Sequence, residues 1–351
     1  MKTLLSINSC NYGSTGTIMC QLSDIAEKNG FDAYKAVPYS RSNKPKKDDK
    51  TIFIGNIIER NIHLFLSKYT GLNGCFSHIG TYFFLRKVKK LNPDVIHLHN
   101  LHNSYINLSM LFKFIKKHNI KTIWTLHDCW SFTGKCAYFD VAKCQKWKGR
   151  CYDCKQLVAY PVSKVDKTAK MYKLKKKWFT GVSNMTIVTP SKWLANLVKE
   201  SFLKDYPVKV INNGIDLNIF KPTESNFRND NDLKDKFILL GVAFPWTYRK
   251  GYDIVLELSK QLDDAYKIVM VGLSKEQITT LPKNIIGIER TSSQAELAKI
   301  YSAADVFINP TREDNFPTVN MEALACGTPV ITFNTGGSPE SLDETCGVVV
   351  L

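Results

Sequence analysis

The chain has 351 residues, 44% of them hydrophobic and 23% charged, which is the composition of a soluble globular protein long enough for two cores. Lysine plus arginine outnumber aspartate plus glutamate by 48 to 32, a formal net charge of +16. No run of about 18 apolar residues occurs, which excludes a spanning helix, and Asn8, Ser9 and Asn11 break the apolar start too early for a signal peptide.

In chain order, short β-branched runs predict strands at 3–7, 33–37, 51–54, 95–98, 122–126, 186–188 and 208–211. Helical spacing predicts helices at 18–28, 79–90, 108–118 and 192–201. Between the first strand and helix, Gly13-Ser14-Thr15-Gly16 makes a loop able to approach phosphate closely, though too short for a dinucleotide fingerprint. His97, His99 and His102 alternate faces at one strand end, and Thr125-Leu126-His127-Asp128 ends the next. The first three histidines have no acids in register for a metal and read as structural or as acceptor-side contacts.

Basic clusters stand at Lys44, Lys46 and Lys47; at Arg86, Lys87, Lys89 and Lys90; at Lys113, Lys116 and Lys117; and at Lys170, Lys173 and Lys175 to Lys177. Such a half suits an anionic surface, or is a solvated helix face. Tyr82, Phe83 and Phe84 beside the second cluster, and Trp178 with Phe179 beside the last, favour a membrane interface over nucleic acid. Five of the ten cysteines lie between Cys129 and Cys154. With no signal sequence the compartment reads as reducing, so disulfides are not expected. Cys136, Cys144, Cys151 and Cys154 form either a structural zinc site, with Cys151 and Cys154 as one knuckle, or a set of free thiols. Cys10, Cys20, Cys75, Cys326 and Cys346 read as small buried residues.

Turn chemistry at Asn212-Asn213-Gly214 and a polar stretch after Phe220-Lys221-Pro222 mark a boundary, giving domains 1–212, with a Cys-rich insert at 129–154, and 213–351. A second strand series follows at 237–242, 267–271, 285–288, 306–308 and 330–333. The alternation makes an α/β protein of two Rossmann-like domains with parallel sheets. The Asp230-Asn231-Asp232 triplet lies in the polar linker, away from a strand end, and is not assigned a metal. Gly241 to Gly251 joins a strand to a helix and carries Arg249 and Lys250. From Thr311 to Glu340, Asp314 precedes a helix opened by Phe316-Pro317-Thr318 and stopped by Gly327, and Glu322 lies inside it. The helix N-terminus offers unpaired amides and a positive dipole end, which favour phosphate.

An acidic residue, seven others and a glutamate, followed by Ala-rich helix end, Gly, small residue and Pro, resembles the retaining glycosyltransferases of family 4, which have the GT-B fold. Asp314 and Glu322 fall on the two acidic positions, with Asp where the family usually has Glu, and Lys250 matches the lysine of its phosphate loop. The arginine common five residues before that lysine is replaced by Pro245. The resemblance implies two Rossmann-like domains facing each other across a cleft, the first on the acceptor side and the second binding the donor. It implies a metal-independent hexosyltransferase that needs no catalytic cofactor. In that reading Lys250 and Arg249 hold the leaving diphosphate, Asp314 orients the transferred sugar and Glu322 binds ribose. Phe316, Pro317 and Thr318 supply amides, Gly16 approaches the donor, His127 contacts its sugar, and Arg290 is placed for the base.

The Cys-rich insert after His127-Asp128-Cys129-Trp130 and the Glu313-Asp314-Asn315-Phe316-Pro317 string look like the subgroup that builds capsular or exopolysaccharide units. That resemblance implies a UDP- or GDP-sugar donor, an oligosaccharide acceptor on polyprenyl diphosphate, and a cytoplasmic enzyme at the inner face of the membrane, with no nucleic acid partner. Relatives continue beyond the strand in which this sequence stops at Leu351, so the second domain reads as truncated. The alternative from another class is an inactive basic Rossmann-type protein bound to membrane or nucleic acid.

Overall fold

Strands with apolar residues on both faces pair in parallel when helices cover both sides of the sheet. The computed structural model describes residues 1–40, 43 and 50–351, and the Lys44, Lys46 and Lys47 cluster lies outside the described residues. Contacts divide the chain into two units, Met1–Asn212 and Asn213–Leu351.

The first unit runs β1 (Lys2–Ile7), α1 (Gly13–Lys28), β2 (Phe31–Pro38), β3 (Thr51–Ile54), α2 (Ile57–Thr70), α3 (His78–Leu91), β4 (Val95–Leu98), α4 (Leu108–His118), β5 (Lys121–Thr125), α5 (Thr168–Phe179), β6 (Met185–Thr189), α6 (Lys192–Glu200) and β7 (Val208–Val210). Its seven parallel strands lie in the order β3-β2-β1-β4-β5-β6-β7. Leu5, Ile7, Ile96, Leu98 and Trp124 pack with Phe112 and Phe179 in its core. Because the strand order reverses between β1 and β4, the loops at their C-terminal ends diverge and leave room for a ligand.

Two helices here escape the apolar pattern. In α2 the buried side chains are His63 and Ser67, while Ile58, Ile62, Phe65 and Tyr69 are exposed. Its ends follow ordinary rules: the Asn56 side chain accepts from the Glu59 amide at 2.9 Å, and Gly71 closes it at φ 72°. In α5 the lysine-rich sequence hides a core face of Met171, Tyr172, Lys175, Trp178 and Phe179. Trp178 and Phe179 are therefore core residues rather than interface residues, because the helix turns them inward, and Phe84 is likewise buried whereas Tyr82 and Phe83 are exposed. Of the five cysteines expected to be buried, only Cys326 is; Cys10, Cys20, Cys75 and Cys346 keep partial exposure.

The second unit runs α7 (Phe227–Asp230), β8 (Phe237–Val242), α8 (Tyr252–Ser259), β9 (Tyr266–Val271), α9 (Lys275–Thr279), β10 (Ile285–Ile288), α10 (Gln294–Ala303), β11 (Val306–Asn309), α11 (Thr318–Ala325), β12 (Val330–Phe333) and β13 (Gly347–Val350). Its six parallel strands lie in the order β10-β9-β8-β11-β12-β13, reversing between β8 and β11. The sequence elements that carry Lys250 and Asp314 follow those two strands. Pro317 sits at the N-cap of α11, and Gly327 at φ +84° follows its last turn.

Candidate active site

In the second unit, the loop after β8 is anchored by Trp246, whose indole donates to the Val271 carbonyl at 2.9 Å. Gly251 adopts φ +76°, and a Cβ there would stand 2.3 Å from the Pro310 carbonyl, so this close approach requires glycine. The turn presents Arg249 and Lys250 toward the segment after β11. Arg249 Nη1 donates to the Glu313 carbonyl at 2.7 Å, and the Lys250 ammonium pairs with the Asp314 carboxylate. Both partners of that ion pair are largely buried, at 17% and 13% exposure. The neighbouring Arg312 grips Asp253 with two bonds of 2.7 Å and covers the Tyr248 ring at 3.8 Å.

α11 follows directly. Its N-terminus has no side-chain cap and no acidic residue in its first turn, so its leading amides and dipole end are uncompensated by side chains. Glu322 projects one turn in, where Tyr301 donates to its Oε2 at 3.1 Å. Burial pushes the Glu322 carboxyl up, against the hydrogen bonds of Tyr301 and Thr318. Phe316 is buried and its carbonyl accepts from Asn213 Nδ2 at 3.4 Å.

A buried polar network unnoticed in the sequence fixes this helix. Asn320 Oδ1 accepts from Asn309 at 2.8 Å, and its amide donates to Ser338 at 3.2 Å and Ser341 at 3.0 Å. Thr332 meets Ser338 at 2.7 Å. The small residues of this string were the available signal, since a buried asparagine ties strand ends to a loop only when serine and threonine answer it. The loop after β12 rests on Asp314, where a Cβ on Gly336 would lie 1.8 Å from the Asp314 carbonyl. Lys250, Arg249, Asp314 and the Phe316-Pro317-Thr318 turn are thus brought together. Arg290 is not among them: it is exposed in the loop after the edge strand β10.

In the first unit, Gly16 is buried in the first turn of α1, and a Cβ there would stand 2.8 Å from the Asn11 backbone. Its lack of a side chain thus serves packing of its own loop. At the ends of β4 and β5, His99 Nδ1 meets His127 Nε2 at 3.0 Å and His97 Nε2 meets Thr125 at 2.8 Å. Burial lowers His97 and His127 to about 4 and takes His99 well below its usual value, so these rings are neutral at pH 7. A second chain was missed in the sequence: His102 lies between Asp128, at 3.0 Å, and the Tyr160 hydroxyl, at 2.7 Å. Tyr160 lies just past the Cys-rich insert, 58 positions from His102, which no local pattern connects.

The insert is tied down by lysines. Lys175 is fully buried, donates to the Trp130 and Thr133 carbonyls at 2.5 and 3.0 Å, and lies 3.5 Å from the Trp130 ring centre; burial lowers its amine to about 7. Of the four insert cysteines, Cys136 and Cys154 share a hydrogen bond that favours the Cys154 thiolate, while Cys151 Sγ accepts from the Gly134 amide at 3.1 Å. Among the described residues no group of three or more His, Cys, Asp or Glu is arranged to hold a metal ion.

Two Rossmann-like units with parallel sheets of seven and six strands are the fold of the GT-B glycosyltransferases. The chain belongs to glycosyltransferase family 4, which it matches over residues 40–219, and residues 223–350 match the glycosyl transferases group 1 family. It is 27% identical over 302 residues to WcaC of Escherichia coli K12, named for glycosyl transfer in colanic acid biosynthesis, covering 83% of this chain and 71% of that protein. Among solved structures, sucrose-phosphate synthase of Thermosynechococcus elongatus superposes with a TM-score of 0.71 at 18% identity, over 100% of this chain and 86% of that one. Anabaena HepE in complex with UDP-glucose gives a TM-score of 0.65 at 14% identity, over 100% and 85%. No helix among the described residues is long and apolar enough to cross a membrane.

Proposed function

We propose that this glycosyltransferase moves a sugar, with retained anomeric configuration, from a UDP- or GDP-sugar to a glycan carried on polyprenyl diphosphate. The observation that carries the reading is the convergence of Lys250, Arg249 and the uncapped start of α11 on Asp314, with the buried Glu322 one turn further on. A leaving nucleoside diphosphate gains negative charge as the glycosidic bond breaks, and preorganised cations and amides stabilise that charge. Glu322 accepts the ribose hydroxyls, and Asp314 orients the sugar. The departing phosphate oxygen takes the acceptor proton, so no protein nucleophile and no divalent metal are required. His127, neutral at pH 7, holds the sugar as a hydrogen-bonding partner without repelling an oxocarbenium-like centre. HepE, whose structure contains UDP-glucose, and WcaC, named for an exopolysaccharide, support the donor and pathway class.

The lipid-linked acceptor is supported by the outward apolar stripe of α2. Glu59 of α2 accepts from the Gly80 amide of α3 at 3.0 Å, and α3 itself exposes Ile79, Tyr82, Phe83, Arg86 and Lys87. Apolar and cationic side chains together suit an anionic membrane surface, and the proposed location is its cytoplasmic face.

Thermal unfolding with UDP- and GDP-sugars tests the donor assignment. A donor at one hundred times its Kd stabilises by about 2.7 kcal/mol. Absence of any shift with every nucleotide, together with no donor hydrolysis, overturns the proposal in favour of a non-catalytic binding protein.

A further inference from the structure

We infer that Arg60 binds the diphosphate of a polyprenyl-linked acceptor, at the edge where the polar inner face of α2 meets the loop after β4. The inference rests on the proposed glycosyl transfer and adds to it the residue that receives the lipid-linked end of the acceptor.

Four arginines among the described residues are partly buried, and three of them are held by acceptors of the protein itself. Arg228 donates to the Ala303 and Lys236 carbonyls and to Asp305, Arg249 to the Glu313 carbonyl, and Arg312 to the Tyr248 carbonyl and Asp253. Arg60 is the fourth. Among the described residues its guanidinium has no hydrogen-bond or ion-pair partner, and its Nε is shut off from water. The adjacent acid, Glu59, is committed elsewhere, with both carboxylate oxygens accepting from the Gly80 amide at 3.0 and 2.9 Å. A buried donor without an acceptor is costly, and a guanidinium carries five donors in a planar fork that matches phosphate. A partly buried cation kept open in this way is a place for an anion that the chain does not supply.

The two faces of α2 say which anion. Arg60, His63 and Ser67 recur at helical spacing on one face, and the latter two are buried. Ser67 accepts from Ser104, in the loop after β4, at 3.1 Å, and Asn73 donates to the same serine at 3.0 Å. Along this polar seam His63 Nε2 and Asn73 Oδ1 are likewise buried with no partner. Because α2 directly follows β3, its first turns, which carry Arg60, lie at the C-terminal edge of the sheet, where open sheets receive ligands. The charge of Arg60 also reaches Tyr160, as does that of Asp128 after β5. The opposite face of the same helix exposes Ile58, Ile62, Phe65 and Tyr69. One helix thus offers an apolar stripe outside and an open guanidinium at its inner edge, the same order as hydrocarbon and phosphate in a polyprenyl diphosphate. An acidic sugar without a lipid would leave the stripe unused.

The test is calorimetric titration with farnesyl diphosphate and with farnesol, both below their micellar concentrations. Wild type should bind the diphosphate well and the alcohol weakly. Arg60→Gln should weaken farnesyl diphosphate about tenfold to a hundredfold, the loss of charge-assisted hydrogen bonds, and leave farnesol unaffected. Arg60→Lys should fall between the two, because an ammonium keeps the charge and loses the fork. Saturating UDP and GDP should not displace the diphosphate, which separates this site from the one around Lys250. The Tm of Arg60→Gln should equal or exceed that of wild type, since no partner is lost. Equal affinity in Arg60→Gln, displacement by the nucleotides, a wild type that does not bind farnesyl diphosphate, or a lower Tm in Arg60→Gln overturns the inference; the proposed function then stands if the wild type still hydrolyses a nucleotide sugar. A wild type that binds farnesyl diphosphate through Arg60 yet neither binds nor hydrolyses any UDP- or GDP-sugar keeps the anion site and brings down the proposed function instead.

Discussion

Tyr301, fully buried in α10, donates its phenolic proton to Glu322 of α11 at 3.1 Å, joining two helices through a carboxylate that burial disfavours. The phenol cannot ionise there, because burial and the Glu322 charge both push it well above its usual value. It is thus a fixed donor that leaves the rest of the carboxylate for a ligand.

Glu322→Gln tests that division. The amide oxygen still accepts from Tyr301, while the buried charge is gone. A raised carboxyl pKa means stability is fully present below the unfolded value near 4.3 and lost as pH rises through the folded one. The variant should therefore be more stable than wild type at pH 7, with the gain vanishing below about pH 4. Donor affinity should fall at the same time, since an amide accepts the two ribose hydroxyls less well than a carboxylate. Denaturant unfolding and nucleotide titration read the two effects; a less stable variant with unaltered affinity would refute the role.

Lys250 and Asp314 pair with each other when no anion is present, so a diphosphate must compete with Asp314 for the ammonium. Asp314→Asn removes the competitor. It should bind free UDP or GDP a few-fold more tightly, yet transfer sugar more slowly because the sugar contact is lost. Lys250→Ala should weaken the same nucleotides roughly tenfold to a hundredfold. Calorimetry on both variants distinguishes this from simple misfolding, which weakens both.

Four imidazoles of the first unit make its stability depend on acid. Burial takes His63 to about 3 and His97 and His127 to about 4, and His99 falls with them. Unfolded imidazoles take up protons near 6.5, so between about 6.5 and 4 the unfolded chain binds more protons and folding weakens as pH falls. The slope is at most about 1.4 kcal/mol per pH unit for each ring. A Tm that drops steadily from pH 7 to pH 4.5, and less so in His97→Gln, is expected. A level Tm across that range would mean that these rings are protonated in the folded protein.

Much of the second unit's frame is legible in the sequence. The β-branched runs at 306–308 and 330–333, the Pro317 start and the Gly327 stop gave the strand-helix-strand frame around Asp314 and Glu322 because each signal is local. What escaped depends on distant partners. Tyr301 lies 21 positions from Glu322, Tyr160 lies 58 from His102, and α5 buries a lysine that only the carbonyls of a remote turn can satisfy. Gly16 is ambiguous in the opposite way, since a glycine suited to phosphate is equally suited to packing on its own loop.

The inverted helix α2 was illegible for a different reason, and it yields the last prediction. A helix that buries histidine and serine while exposing Ile58, Ile62, Phe65 and Tyr69 leaves its apolar stripe to water unless another phase covers it. Lys68 and Lys164 stand near the Tyr69 ring, so the stripe carries its own cations. The wild-type protein should sediment with vesicles containing phosphatidylglycerol and not with neutral phosphatidylcholine vesicles. Raising salt from 0.1 M, where the Debye length is about 10 Å, to 1 M, where it is about 3 Å, should release much of it. Burying one large apolar side chain contributes about 1.5 to 3 kcal/mol, so Ile62→Ser with Phe65→Ser should weaken binding by at least about a hundredfold. Folding should be untouched because both side chains already face water. Equal sedimentation of this double variant and wild type would mean that the stripe meets something other than lipid, and self-association measured by ultracentrifugation would then show whether a second copy covers it.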